Sequence, residues 1–169
     1  MLKVYAARGQ AESAAAFIEA MEDAGGPKSP NDDSWAHLVR ALGNAGMLVD
    51  AEDIFEELGY QAPLPPKAAR WAMLEVWARH GLVDRARSLL HAIRRAGEIP
   101  PQGQLALLVR AAGAAGDSVA AEAAVVDAMS DGEPPSPEVL AALVEACADA
   151  GDLPRAEGAV EAMLLRGHQ

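Results

Sequence analysis

Side chains able to do acid–base, nucleophilic or metal chemistry are few and scattered in this sequence. The four histidines, His37, His80, His91 and His168, stand alone. None belongs to an HExxH pair or a Cys/His cluster, the spacings that gather donors on one metal. The one cysteine, Cys147, lies in an Ala/Val/Leu-rich helical face. That is the setting of a buried structural thiol rather than of a nucleophile, and a single thiol excludes an internal disulfide or a multi-cysteine site. Neighbouring acids such as Glu56 and Glu57 diverge on a helix and do not converge on one point. The pattern points away from an enzyme and implies no cofactor, no metal and no small-molecule substrate. Isolated cations and aromatics remain, and what they could bind depends on where the elements place them.

The elements that carry these residues follow from composition and period. The chain has 169 residues, 25 acidic and 14 basic, for a formal charge of −11. Only 4% of it is aromatic, while 38 residues are alanine, the strongest helix former. β-Branched and aromatic residues are too scarce for a sheet, and 51% apolar residues argue against disorder. The expectation is an intracellular, all-α chain. No run approaches the roughly 20 apolar residues that span a bilayer. The start, Met1-Leu2-Lys3-Val4-Tyr5, resembles neither a secretory signal nor an Arg/Ser-rich presequence, so the expectation is either a protein that stays in the cytosol or a targeting segment outside this sequence. The acidic total disfavours indiscriminate binding to phosphate backbones but leaves room for a local basic strip.

Five segments align on a glycine: Gly9, Gly46, Gly81, Gly116 and Gly151, spaced by 37, 35, 35 and 35 residues. Five residues after each stands an alanine (Ala14, Ala51, Ala86, Ala121, Ala156), and Pro30, Pro65, Pro100 and Pro135 keep the same step. A shared register of this kind marks a repeat array. Before each glycine the apolar residues recur at three and four, as in Trp35–Leu42, and after it again in Ala51, Ile54, Phe55 and Leu58. Each unit therefore reads as two helices joined at a glycine with positive φ. The recurring alanine is expected where paired helices approach most closely.

The helices are predicted at 1–8, 11–24, 32–45, 48–58, 67–80, 83–96, 102–115, 118–130, 137–150 and 152–166. They form one array over 1–169: a partial repeat 1–31, then repeats 32–66, 67–101, 102–136 and 137–169. The two extra residues of the first spacing fall in the loop Gly25–Ser29. Val125–Met129 reads as one residue longer before its loop than its neighbours. The first unit opens with half a helix and no polar cap, which suggests a fragment or an end covered by a partner.

Tetratricopeptide repeats share the turn glycine and the later alanine, but they place a small residue seven positions before that glycine. Here Val39, Leu74, Val109 and Val144 fill the slot. With the step of 35, second helices ending on Met21, Leu58, Ile93 and Met163, and the loop Gly97-Glu98-Ile99-Pro100, the chain instead resembles the pentatricopeptide repeat family along nearly its whole length. That resemblance implies an α-solenoid of stacked helix-turn-helix repeats wound into a right-handed superhelix. It further implies residence in a mitochondrion or chloroplast, and first helices that line a groove for single-stranded RNA.

In that family two side chains per repeat choose the base, one ten residues before the turn glycine and one at the repeat's end. Here the first slot holds Ala36, Trp71, Ala106 and Ala141, and the second Asn31, Pro66, Pro101 and Ser136. Alanine and proline side chains offer no hydrogen bond, so a base code is not expected. The first helices carry seven basic and six acidic residues, which leaves the surplus of acid elsewhere.

The groove candidates are His37, Arg40, Asn44, Trp71, Arg79 and Arg110. The arginines would meet phosphates or close intrachain ion pairs, Trp71 would stack on a base or pack in the groove, and His37 reads as a surface residue. Two functions remain open. One is a non-catalytic protein holding RNA, single-stranded or ribosomal, by its backbone in an organellar ribonucleoprotein. The other is a scaffold that binds protein subunits of a large assembly, with acids such as Asp50, Glu52, Asp53, Glu56 and Glu57 meeting a basic partner or simply solvating the surface.

Overall fold

A computed structural model describes residues 1–26, 29–60, 64–129 and 134–167. Among these residues there are ten α-helices and no strand. In chain order they are α1 (Leu2–Arg8), α2 (Ala11–Ala24), α3 (Asp32–Asn44), α4 (Leu48–Gly59), α5 (Lys67–Arg79), α6 (Val83–Arg95), α7 (Gln102–Ala114), α8 (Ser118–Met129), α9 (Pro137–Asp149) and α10 (Leu153–Gly167). Every helix predicted from the period is present, with ends displaced by a residue at most. Pro27 and Lys28 of the inserted loop, and His168, lie outside the described residues. The extra residue expected before the loop after α8 falls at 130–133, outside the described residues.

The sequence sets these ends locally. At each turn the glycine adopts a left-handed conformation, with φ between 63° and 79° at Gly9, Gly46, Gly81, Gly116 and Gly151. The next N–H then reaches back to a carbonyl five residues earlier, as Met47 does to Leu42 at 3.0 Å and Asp152 to Cys147 at 2.8 Å. This 6→1 bond satisfies an end carbonyl that the helix leaves unpaired and turns the chain straight into the second helix. Side-chain caps open several helices: Asn31 Oδ1 accepts from the Ser34 N–H at 2.9 Å, Ser136 Oγ from that of Val139 at 3.3 Å and Asp117 Oδ1 from that of Ala120 at 2.8 Å.

The chain forms two compact units, Met1–Val76 and Trp77–Gln169. In the first, α3 packs against α1, α2 and α4. Its core includes Ala14, Ile18, Val39, Leu42, Ala51 and Phe55. In the second, α7 and α9 pack side by side, with α8 and α10 laid against them. Leu108, Val109, Ala121, Val139 and Cys147 fill its centre. The recurring alanine is buried at Ala14, Ala51, Ala86 and Ala121 and half-buried at Ala156, on the last helix. First helices also meet without side chains between them. A methyl on Gly43 would lie 2.3 Å from Val76, and one on Gly113 would lie 2.5 Å from the Cα of Ala146. Both glycines stand three residues before a turn glycine, so the same slot serves as a closest approach in each unit. Among the described residues no helix is long and apolar enough to cross a membrane.

Candidate nucleic-acid interface

The first helices bring one side chain of each repeat to a common slot, six residues before the turn glycine. Lys3, Arg40, Glu75, Arg110 and Glu145 occupy it. In the first unit Arg40 Nε donates to Glu75 Oε2 at 2.9 Å, with side chains 30% and 23% exposed. In the second, Arg110 lies 3.5 Å from Glu138 and 3.9 Å from Glu145, about half-exposed and in looser pairs. The first is short and partly shielded, so a phosphate would have to displace a well-placed carboxylate. The second is long and wet, in the range where an ion pair adds about 0–1 kcal/mol. Arg110 is thus the arginine a phosphate can recruit, and Arg40 is held.

The other candidates divide between support and exposure. Asn44 is structural: its Nδ2 donates to the Ala6 carbonyl at 2.7 Å and ties the end of α3 to α1. His37, expected at the surface, is half-buried, and its Nδ1 is buried without a hydrogen-bond partner among the described residues. Burial, and then the Arg40 charge, hold the imidazole below its usual pKa. It is therefore neutral at pH 7 and offers a phosphate no charge. Arg70, one of the first-helix cations, is buried. Arg79 is exposed and interacts within the chain.

Trp71 is half-buried and edges a cavity of about 570 Å³, together with Asn31, Asp32, Asp33, Lys67 and Ala68 at the starts of α3 and α5. An indole, an amide and an ammonium share this opening with two carboxylates. Most of the slots that would choose a base are closed to that role, Trp71 excepted: Ala36 and Ala106 are buried, while Asn31 and Ser136 use their oxygens as helix caps.

Sequence reading counted Glu75 and Glu145 among the first-helix acids and allowed intrachain ion pairs, but did not pair them with Arg40 and Arg110, although the 35-residue register carried that signal. It also missed two clusters in the second unit. Arg155 Nε pairs with Glu122 at 2.7 Å and its Nη1 bonds Asp152, which accepts in turn from Ser118 Oγ at 2.8 Å. Arg155, then Ser118, draw the Asp152 carboxyl below its usual pKa. On α6, Arg87 and His91 share Asp127 at 3.3 and 3.2 Å. Among the described residues no three His, Cys, Asp or Glu side chains gather to hold a metal.

Comparison with known proteins bears on the whole arrangement. The model of the pentatricopeptide (PPR) repeat matches residues 33–59 and 72–98. Among solved structures, the pentatricopeptide repeat protein PPR10 from maize superposes with a TM-score of 0.77 at 20% identity, over 95% of this chain and 23% of that one. PPR10 in complex with an 18-nt psaJ RNA element superposes with a TM-score of 0.73 at 24% identity, over the same shares. The chain thus spans about a quarter of the length of those proteins, and the likeness shows the α-solenoid fold of stacked helix-turn-helix repeats. No curated protein sequence matches it.

Proposed function

We propose that this chain, a member of the pentatricopeptide repeat family, holds RNA by its backbone and by stacking, without a base code. The observation that carries this reading is the opening at the starts of α3 and α5. Trp71, itself in one of the base-choosing slots, and Lys67 stand there beside a cavity of about 570 Å³, while Ala36 and Ala106 are buried and Asn31 and Ser136 serve as helix caps. Stacking is tolerant of sequence because every base has a π-face. Cations fix the phosphate path without reading it. The looser pairs of Arg110 let that residue exchange carboxylate for phosphate, and the exposed Lys3 and Arg8 make no ion pair with a described residue. The structure of PPR10 with an RNA element supports the same ligand class. Residence in a mitochondrion or chloroplast, within a ribonucleoprotein, and the reading of residues 1–169 as one array belong to the same proposal and rest on the family resemblance.

Binding of labelled oligouridylate and oligoadenylate to the full chain tests it. The two should bind within a fewfold of each other. Trp71→Ala should weaken both by about 5- to 100-fold, since a stacked base is worth roughly 1–3 kcal/mol. No binding at about 20 mM salt, where phosphate contacts are strongest, would overturn the proposal. That outcome would favour a second reading, a protein-binding scaffold. Its support is a cavity of about 620 Å³ in the second unit, with an apolar wall of Val125, Val126, Met129, Leu140 and Leu143 and the charged Glu122, Asp152 and Arg155 also lining it.

A further inference from the structure

Of the second helices, α2, α4 and α8 are acidic and α10 is balanced, with Arg155 and Arg166 against Glu157 and Glu161. α2, α4 and α8 carry acids and no lysine or arginine. α6 reverses this, with Arg85, Arg87, Arg94 and Arg95 and a single acid, Asp84, in thirteen residues. Its apolar stripe, Val83, Ala86, Leu89, Leu90 and Ile93, is buried in the second unit, so the polar side faces outward. On that side Ser88, His91 and Arg95 recur at three and four residues, with Arg94 beside them, and these four alone line a cavity of about 370 Å³. Every lining side chain donates hydrogen bonds and no carboxylate is among them.

Two neighbours define the charge of this site. Asp127, from α8, accepts from Arg87 Nε and Nη2 and lies 3.2 Å from His91 Nε2. Arg95 is exposed and meets no carboxylate among the described residues; its Nε reaches only the His91 carbonyl, at 3.4 Å. Arg94 is half-buried and interacts within the chain, so its charge is positioned. From Ser88 to Arg95 is about 10 Å along the axis at 1.5 Å per residue. A planar guanidinium offers paired N–H groups to a phosphate, and serine adds a hydroxyl donor. An acidic peptide would meet the same charges, but the family's ligand carries a phosphate at every residue and the site has no apolar wall for peptide side chains.

We infer that α6 is a second RNA contact, at which Ser88, His91, Arg94 and Arg95 seat backbone phosphates on the polar side of a second helix, apart from the opening at Trp71. The inference rests on the RNA reading above, and Asp127 is its built-in competitor. Removing that carboxylate releases Arg87 and His91 toward the ligand.

Anisotropy titrations of the full chain with labelled oligouridylate, across a salt series, test it. Arg94→Gln with Arg95→Gln should raise Kd about fivefold or more and flatten the plot of log K against log salt by about 1.4, from two lost contacts at about 0.7 each. Asp127→Asn should tighten binding about two- to fivefold, the range of one exposed ion pair, a gain that a structural defect would not produce. If Trp71→Ala weakens binding while the double variant and Asp127→Asn leave Kd and slope unchanged, the α6 site is refuted and the RNA reading stands. If the unaltered chain binds no RNA, both fall. If the double variant loses affinity for polyglutamate but not for RNA, α6 takes an acidic protein and the inference is overturned.

Discussion

His37 sits one turn from Arg40 on α3, with Nδ1 cut off from water. Burial and then the arginine depress its folded-state pKa, with Asp33 opposing. The unfolded chain therefore takes up a proton at higher pH than the folded one, so acidification favours unfolding once the pH falls through the usual imidazole value near about 6.5. We expect the thermal midpoint to drop between pH 7.5 and 5.5, and His37→Gln to reduce that drop; equal drops in both proteins would refute the assignment. Asp152 acts in a separate window, because its depressed pKa withdraws stability only as carboxylates protonate. Cys147 is fully buried, and burial first, then Asp152 and Glu122, push its thiol up. Iodoacetamide should leave it unmodified in the folded protein and label it on unfolding, which mass spectrometry reads directly. The residue types were legible in the sequence, as the buried thiol shows. What each cation faces was not, because Arg40 meets Glu75 only when two repeats superpose.

At the scale of the element, the period made the helices legible almost to the residue, because many ends are written locally by a turn glycine or a capping side chain. The inter-helix contacts were less so. Nothing in the glycine, alanine and proline markers of the period singles out Gly43 and Gly113, yet each of the two lets a neighbouring helix come within van der Waals reach of its backbone. Gly113→Ala would drive a methyl to 2.5 Å from the Ala146 backbone, and it should destabilise the fold by about 1–3 kcal/mol through overpacking. Gly103, in the first turn of the same helix, has nothing within 4 Å of its missing methyl. Gly103→Ala should stabilise by about 0.5–1 kcal/mol, the entropy recovered on replacing a helical glycine. Urea denaturation separates the two signs. Equal effects would mean that α7 and α9 do not meet at Gly113. The cationic nature of α6 also belongs to this scale: summing charge over all the outer helices gives one acidic total and hides the helix that departs from it.

For the molecule as a whole, the net charge of −11 and the cations on α6 and the first helices set two salt effects of opposite sign. A surplus of like charge destabilises the compact state by self-repulsion, and salt at about 0.15 M screens charges beyond about 8 Å. Sodium chloride should therefore raise the thermal midpoint of the free protein. The RNA binding proposed above would draw on the local cations instead and release counterions from the nucleic acid, so the same salt should weaken it, with a slope near −0.7 per phosphate contacted. Two or three contacts, as at Arg110 and on α6, give a slope of about −1.4 to −2.1. Thermal scans and anisotropy titrations over one chloride series measure both quantities on the same samples. A midpoint that falls with salt would mean that pairs such as Arg40–Glu75 and Arg155–Glu122 outweigh the acidic surplus. RNA affinity indifferent to salt would mean that stacking at Trp71 holds the ligand without its phosphates. Opposite responses are what an acidic protein with confined basic patches requires, and a uniformly acidic surface would give only the first of them.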